Sequence, residues 1–401
     1  MATVVYRAIG NRGGFYALLA LLGVFIALGA GAFFHMEHYG HVVTGMDNQI
    51  VWGMPHVFAV FLIVAASGAL NVASTASVFG KTIYKPLAPL SALLAFSLLL
   101  GGLTVLMLDL GRPDRLIVAM TYFNFKSIFA LNVFLYTGFF GIVAVYLWTM
   151  MERRMNSYSK PAGLAAFVWR LALTTGTGSI FGFLVAREAF DSALLAPMFI
   201  VFSFAYGTAL FLLVLFAACR MDGRPLGDAL VGRLKNLLGT FVAASLYFTA
   251  VFHLTKLYVT KFHGVERFIL QDGGIYTTLF WLGQVLAGGV APLVILFHPQ
   301  LSKSRGWLIA ACLLIAAGGL AQMYVTIIGA QAYPLSIFPG FQESSSFFDG
   351  EVHPYTPSLP ETLLGLGGIA VAFALVMVAV KALRFLPERL DDAALDPHHA
   401  K

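Results

Sequence analysis

The sequence predicts an all-α integral membrane protein that crosses the bilayer about ten times. Three observations predict it. Charged residues make up only 11 % of the 401 residues, against roughly 25 % in a soluble domain, too few to coat a water-facing surface. Hydrophobic residues reach 59 % and mean hydropathy is +0.83. The apolar residues are also gathered into runs of about 20, the length a helix rising ~1.5 Å per residue needs to span the hydrocarbon core.

The runs are 14–34, 54–76, 87–109, 128–150, 163–186, 195–218, 237–258, 275–297, 307–329 and 362–383, each bounded by charges, Gly or Pro. Two basic residues, Arg7 and Arg12, precede the first run, and no obvious cleavage site follows, so it reads as a retained span rather than a signal peptide. An even number of spans puts both termini on one side. The segments on that side hold 17 Lys and Arg and the opposite segments 7, with Arg170 inside a span; the positive-inside rule then makes the terminal side cytoplasmic. The net charge of +6 comes from these short loops and gives no reason to expect nucleic acid. Two outer segments lack Lys and Arg altogether. Residues 35–53 carry His35, Glu37, His38, His41 and Asp47, and residues 330–361 carry Glu343, Asp349, Glu351 and His353. A connection as long as the second is more often functional than a bare link.

The two cysteines, Cys219 and Cys312, form no Cys-x-x-Cys pair, so the chain cannot hold a four-cysteine iron–sulfur cluster by itself. Chemistry must come from ionisable residues, which are expensive at a bilayer rim and need a reason. Asp109 ends the third run in Asp109-Leu110-Gly111-Arg112-Pro113-Asp114-Arg115. Gly111 suits a left-handed helix cap and Pro113 a helix stop. Neither explains Asp109, because a carboxylate at a helix C-terminus opposes the macrodipole. It is either a structural ion pair, with Arg112 or Arg115 compensating, or a proton-handling carboxylate. His56, in Trp52-Gly53-Met54-Pro55-His56, opens the second run inward from the same rim. A His and an Asp at one lipid–water boundary suit quinol oxidation, which needs hydrogen-bond partners and a base titrating near working pH.

Other residues carry weaker signals. His35, His38 and His41 are spaced by three and suggest a hydrogen-bonding outer rim more than a metal. His253 and Lys256 close the seventh run on the outer side, and His298 ends the eighth on the inner side. Arg170 should face the bundle interior or water, and Glu188, at the outer end of the fifth run, is a candidate for a proton path.

The Asp109–Arg115 segment at the end of a span resembles the signature of the NrfD/PsrC family of quinone-interacting membrane subunits, and His56 is similar to a residue of that family's first core helix. The additional first and last spans resemble the ten-helix subtype typified by HybB and DsrP, and the stretches His38–Met46 and His253–Tyr258 look closest to DsrP. The resemblance covers essentially the whole chain. It implies two four-helix bundles, here residues 54–186 and 195–329, preceded by 1–53 and followed by 330–401. It implies quinone or quinol (menaquinone or ubiquinone) as an exchangeable ligand, no tightly bound redox cofactor, no metal, and a bacterial inner membrane. It also implies an outer-face, ferredoxin-like iron–sulfur subunit as electron partner, with cytochrome c and cytochrome b/iron–sulfur subunits as in DsrMKJOP-type complexes, and a link to sulfur metabolism with coupled proton movement. The site it implies comprises Trp52, His56, Asp109 and Arg112, with Asn132 and Tyr136 as further contacts. The fourth span departs from many relatives: Lys126-Ser127-Ile128 stands where a Ser-Pro or an acidic residue is common.

Two readings compete. A secondary transporter would show broken, polar mid-span segments, for which Thr174-Thr175-Gly176-Thr177-Gly178-Ser179 is the candidate. A b-type cytochrome would need facing pairs of axial histidines. A purely structural anchor leaves His56 and Asp109 at one rim unexplained.

Overall fold

A computed structural model describes residues 4–10, 13–335 and 350–392. Ten helices in it are long and apolar enough to cross a membrane: α1 Gly13–Tyr39, α2 Met54–Ser77, α3 Thr82–Leu108, α4 Ile128–Met151, α5 Arg153–Gly182, α6 Leu195–Asp222, α7 Asp228–Tyr258, α8 Ile275–Phe297, α9 Arg305–Ala332 and α10 Leu359–Ala382. The chain is an all-α integral membrane fold, and every apolar run of the sequence forms one span. The fifth differs most. Its helix stops at Gly182 rather than 186, and Arg187 and Glu188 lie in the turns beyond.

Burial follows composition. α2 is apolar all round, and its most hydrophobic window is entirely buried, as expected of a helix enclosed by protein on every side. It packs on α3, α6 and α10, while α1 lies outermost against α10. α3 packs on α4 and α4 on α5; α6 contacts α5, α7 and α9, and α8 packs on α9. Helix association in lipid has little hydrophobic drive, so close approach relies on small residues. Gly68 of α2 lies directly against the backbone of Ser203 and Gly207 of α6.

α2 is not one continuous helix. It breaks between Ala69 and Asn71, and the backbone groups freed there are paired inside the bundle, as hydrocarbon demands. The Ser91 hydroxyl donates to the Ala69 carbonyl at 2.6 Å and accepts from the Ala73 N–H at 3.1 Å. Arg170 donates to the Ser67 carbonyl at 3.0 Å and to Asn71 Oδ1 at 2.6 Å, between the rings of Phe167 and Phe204. Arg170 thus faces the interior, as its charge requires. The Thr174–Ser179 run is the correction: it stays helical within α5, with Thr174 bonded to the Ser67 hydroxyl. The broken span is the second one, whose apolar sequence hides it.

The described segments nearest the two ends of the chain meet. Tyr6–Arg7 and Leu386–Pro387 form a two-residue antiparallel pair. Arg224, in the α6–α7 turn, donates to the carbonyls of Arg7, Ala8, Leu386 and Pro387 at 2.8–3.1 Å. Both segments and that turn therefore share one face.

Candidate functional site

At the opposite face, α2 begins where α3 ends. Pro55 in the first turn of α2 needs no intrahelical donor, and the turn delivers His56 to the rim. α3 ends at Leu108 with Asp109 as its cap, and Gly111 follows with φ of 66°, a left-handed conformation open to glycine. A side chain at Gly111 would press on the His41 ring. His56 Nδ1 comes to 2.9 Å from Asp109 Oδ2. On the other side, His41 Nε2 lies 3.2 Å from the Asp109 carbonyl and 3.8 Å from Oδ1. The Asp109 side chain is 1 % exposed, His56 17 % and His41 35 %. The carboxylate is therefore sealed in protein while both imidazoles reach toward the surface.

The electrostatics are those of a coupled cluster. Burial by itself raises the Asp109 carboxyl, but the polar contacts and charge of His41 and His56 outweigh it and hold the group below the ordinary aspartate value. The Asp109 carboxylate raises the His41 imidazole, more than burial lowers it. Even so, His56 Nδ1 and both Asp109 oxygens lack an aligned hydrogen bond among the described residues.

The remaining expected residues divide. Trp52 stacks on His56 with ring centroids 6.1 Å apart, and touches Phe129, Phe181 and Phe190. Asn132, 1 % exposed, lies one turn beyond Phe129 on α4; it donates to the Ile128 carbonyl and leaves its Oδ1 unpaired. Tyr136, a turn deeper, contacts Thr177. Among the described residues, no hydrogen bond or ion pair joins either one to Asp109. Arg112 is the correction. It does not orient Asp109 but turns outward, 63 % exposed, and pairs with Asp114 at 3.1 Å. The left-handed turn at Gly111 carries the chain away from the helix end, so Arg112 projects from the surface. His41 takes the place expected of Arg112. His35 and His38 pack on Tyr39 instead.

The segment carrying Trp52 is held by residues that sequence reasoning did not single out. Gln331, 1 % exposed at the end of α9, accepts from the N–H groups of Val51 and Trp52 and donates to the Trp52 carbonyl, each at 3.0 Å. Tyr355 accepts from Met54 N–H at 2.7 Å and donates to Glu361 at 2.6 Å. Glu361, wholly buried, also accepts from Gly45 and Ser358 N–H groups at 2.8 Å. It belongs to a capping box opening α10, and Ser358-Leu359-Pro360-Glu361 is the readable signal for it. Glu343 and Asp349 of this outer connection lie outside the described residues. Gln331→Ala strands two backbone donors and one acceptor, at about 1–3 kcal/mol for each group left unpaired. It is expected to lower the thermal midpoint of the purified protein by several degrees, and an unchanged midpoint would refute the clamp.

In the second half of the chain, His253 Nδ1 lies 2.7 Å from Glu266 Oε2. Lys256 donates to the carbonyls of Glu188 and Ala189, so Glu188 contributes its backbone there. His298 accepts from the N–H groups of Gln300 and Leu301.

The chain is 31 % identical over 392 residues to the Hdr-like menaquinol oxidoreductase integral membrane subunit of Archaeoglobus fulgidus, covering 97 % of this chain and 98 % of that one. It is 22 % identical to the integral membrane subunit of menaquinone reductase of Nitratidesulfovibrio vulgaris, covering 95 % and 94 %. It is 26 % identical to the putative dimethyl sulfoxide reductase membrane subunit of Halobacterium salinarum, covering 99 % and 96 %. Residues 42–334, which include His56, Asp109 and spans α2–α9, match the family described as polysulphide reductase, NrfD, and the chain belongs to that family.

Proposed function

We propose that this chain is the quinone-reactive membrane subunit of an oxidoreductase complex, passing electrons between membrane quinone and an iron–sulfur partner on the face that carries His56 and Asp109. The observation that carries the reading is the sealed carboxylate of Asp109 between two imidazoles, with its oxygens and His56 Nδ1 lacking aligned partners. The imidazoles, which reach toward the surface, suit the hydroxyl or carbonyl of a quinol or quinone, with the sealed carboxylate behind them. The names of the Archaeoglobus and Nitratidesulfovibrio relatives, a menaquinol oxidoreductase and a menaquinone reductase, support menaquinone as the ligand class. Such a ligand supplies a two-electron, two-proton couple when bound. The chain's own residues do the proton work. His56 and Asp109 take or return a proton, His41 balances the charge on Asp109, and Trp52 shields the pair with its aromatic neighbours. Asn132, with one acceptor unpaired, and Tyr136 line α4 as further contacts. Arg112, paired with Asp114 on the surface, is better placed for a docked partner than for the proton step.

Spans α2–α5 form the reactive bundle in this reading, and both chain ends face the cytoplasm. The partner docks on the surface built from 35–53 and 350–361, where His353 pairs with Asp47 at 2.6 Å. Two experiments test the proposal. Purified in mild detergent, the native complex should oxidise a menaquinol analogue with electrons appearing in a co-purifying iron–sulfur protein; a complex without quinol-linked turnover removes the reading. Reporters fused after residue 401 should be active only as cytoplasmic reporters, and those inserted in 330–361 only as external ones. The reverse pattern overturns the orientation.

A further inference from the structure

The half of the bundle nearest the terminal segments holds an apolar groove. α1 and α10 pack on each other, and α6 stands off from both. A half-open groove of about 210 Å³ lies between the three helices. α6 and α10 each line it with four residues at i, i+3, i+4 and i+7, from Val214 to Met221 and from Phe373 to Val380, and Phe15 and Leu22 lie on the α1 wall. That spacing turns one face of each helix to the groove. Seven residues at ~1.5 Å each make ~10 Å, so the groove runs along the helix axes for about two turns. Every lining side chain is apolar, which leaves water without the polar partners it needs.

An apolar cavity of about 150 Å³ already takes a guest the size of benzene, and this one is larger. Left empty, its walls would forfeit their dispersion contacts. In a bilayer the filler at hand is an acyl chain, which lies along the membrane normal as the groove does. It can enter sideways past Ala217, the exposed residue of the α6 wall. The mouth is basic. Lys381 stands one turn beyond Met377 on α10; its Nζ donates to the Ile9 carbonyl at 3.0 Å and lies 5.7 Å from the Phe15 ring centroid. Arg220, exposed, follows one turn after Ala217 on α6, and Arg384, also exposed, follows the end of α10. Nearby carboxylates are engaged elsewhere: Asp222 with Arg224 at 2.7 Å and with the Gly10 N–H at 2.9 Å, and Glu388 with Arg7 at 3.6 Å. Among the described residues, Arg220 and Arg384 join no ion pair. Basic pockets between spans at a membrane rim suit anionic lipid headgroups.

We infer that the groove between α1, α6 and α10 binds one phospholipid with an anionic headgroup, its acyl chain lying in the groove and its phosphate facing Lys381 and Arg220. The lipid supplies the packing that α6 does not give α1 and α10, and so ties the first and last spans to the bundle. A zwitterionic headgroup would bring its own cation to a basic mouth, so the anionic one is preferred. A quinone tail would fit the apolar walls, but a neutral quinone ring gives the basic mouth no counter-charge. The groove lies at the opposite face from His56 and Asp109, so the lipid has no part in the quinone chemistry.

The test is retention of lipid. The native complex, purified in a mild detergent, is analysed by native mass spectrometry with this subunit released in the gas phase. The wild-type subunit should carry one anionic phospholipid, phosphatidylglycerol or cardiolipin. Ala217→Phe, which fills the groove from its open wall, should lose it. Leu18→Trp fills the groove from α1 and serves in its place should Ala217→Phe fail to assemble. Leu21→Phe, at an exposed position of α1 outside the groove, should keep the lipid. Lys381→Gln combined with Arg220→Gln should still hold a chain but take phosphatidylcholine as readily as phosphatidylglycerol. Thermal melting gives a second readout: phosphatidylglycerol added to the delipidated wild type should raise the midpoint by several degrees, and phosphatidylcholine by clearly less. That difference should vanish in Ala217→Phe and in the double variant. Retention of detergent or quinone alone, retention of lipid without regard to headgroup charge, or an anionic lipid still held by the assembled groove-filling variants overturns the site.

Discussion

Replacing Asp109 with Asn is expected to lower quinol-linked electron transfer by about 100-fold or more, within the range general acid–base groups contribute, while the complex still assembles. His56→Gln should do the same, and His41→Gln should cost less, because His41 meets the Asp109 side chain at 3.8 Å rather than 2.9 Å. Assembly is checked by co-purification of partners. A second measurement, independent of turnover, is stability against pH. The His41 value is raised in the folded protein, so its contribution is full below about pH 6.5 and fades as pH rises through the folded value. The Asp109 value is lowered, so its contribution is full above about pH 3.9 and fades as pH falls through the folded value. The two overlap in a weakly acidic window. The gap in thermal midpoint between wild type and Asp109→Asn should be widest there and narrow on the alkaline side. A gap independent of pH, or full quinol-linked activity in assembled Asp109→Asn and His56→Gln, would move the site elsewhere, and His253 would be the next place to look.

The spans are legible because each is a run of apolar residues longer than any soluble core element requires, and the signal is carried by one dimension of the chain. The meeting of His56 and Asp109 is legible for a related reason: two span boundaries at one rim, joined by a short inner connection, place both residues at one depth. What the sequence hides depends on direction and distance. Arg112 stands three residues from Asp109, but the turn at Gly111 sends it outward to Asp114. His41 reaches Asp109 across 68 residues of sequence, and no spacing rule anticipates such a contact. Gln331, Tyr355 and Glu361 grip the start of α2 from the far end of the chain. They look like ordinary polar residues of a long connection. The break in α2 leaves no mark in the sequence because Ser67, Asn71 and Ser91 are small or singly polar and the run around them is apolar. Only the location of Arg170, 3 % exposed and bonded to Ser67 and Asn71, reveals it.

The second large effect expected is at Gly68. Two principles oppose each other there. Helix propensity alone would make Gly68→Ala stabilising by about 1 kcal/mol. The contact points the other way: a Cβ at Gly68 would fall on the carbonyl of Ser203, and Gly207 of α6 already packs backbone to backbone against it. Neither neighbour is a flexible side-chain tip, so the helices themselves must part. Overpacking a core costs about 1–3 kcal/mol, occasionally more, and the site leaves no soft route to relax. Separation would also disturb the network one turn away, where Asn71 donates to Thr208 at 2.9 Å and to the Phe204 carbonyl at 3.1 Å while accepting from Arg170. A buried arginine losing its acceptors in hydrocarbon adds to the cost. Gly68→Ala should therefore lower the thermal midpoint, and Gly68→Val should abolish folded, monodisperse protein in detergent. Gly141 in α4 is the control. Nothing lies within 4 Å of a Cβ there, so Gly141→Ala should follow propensity and hold or raise the midpoint. If Gly68→Ala instead melts at or above the wild type, α2 and α6 are not packed backbone to backbone, and the seam joining the two halves of the molecule would need to be redrawn.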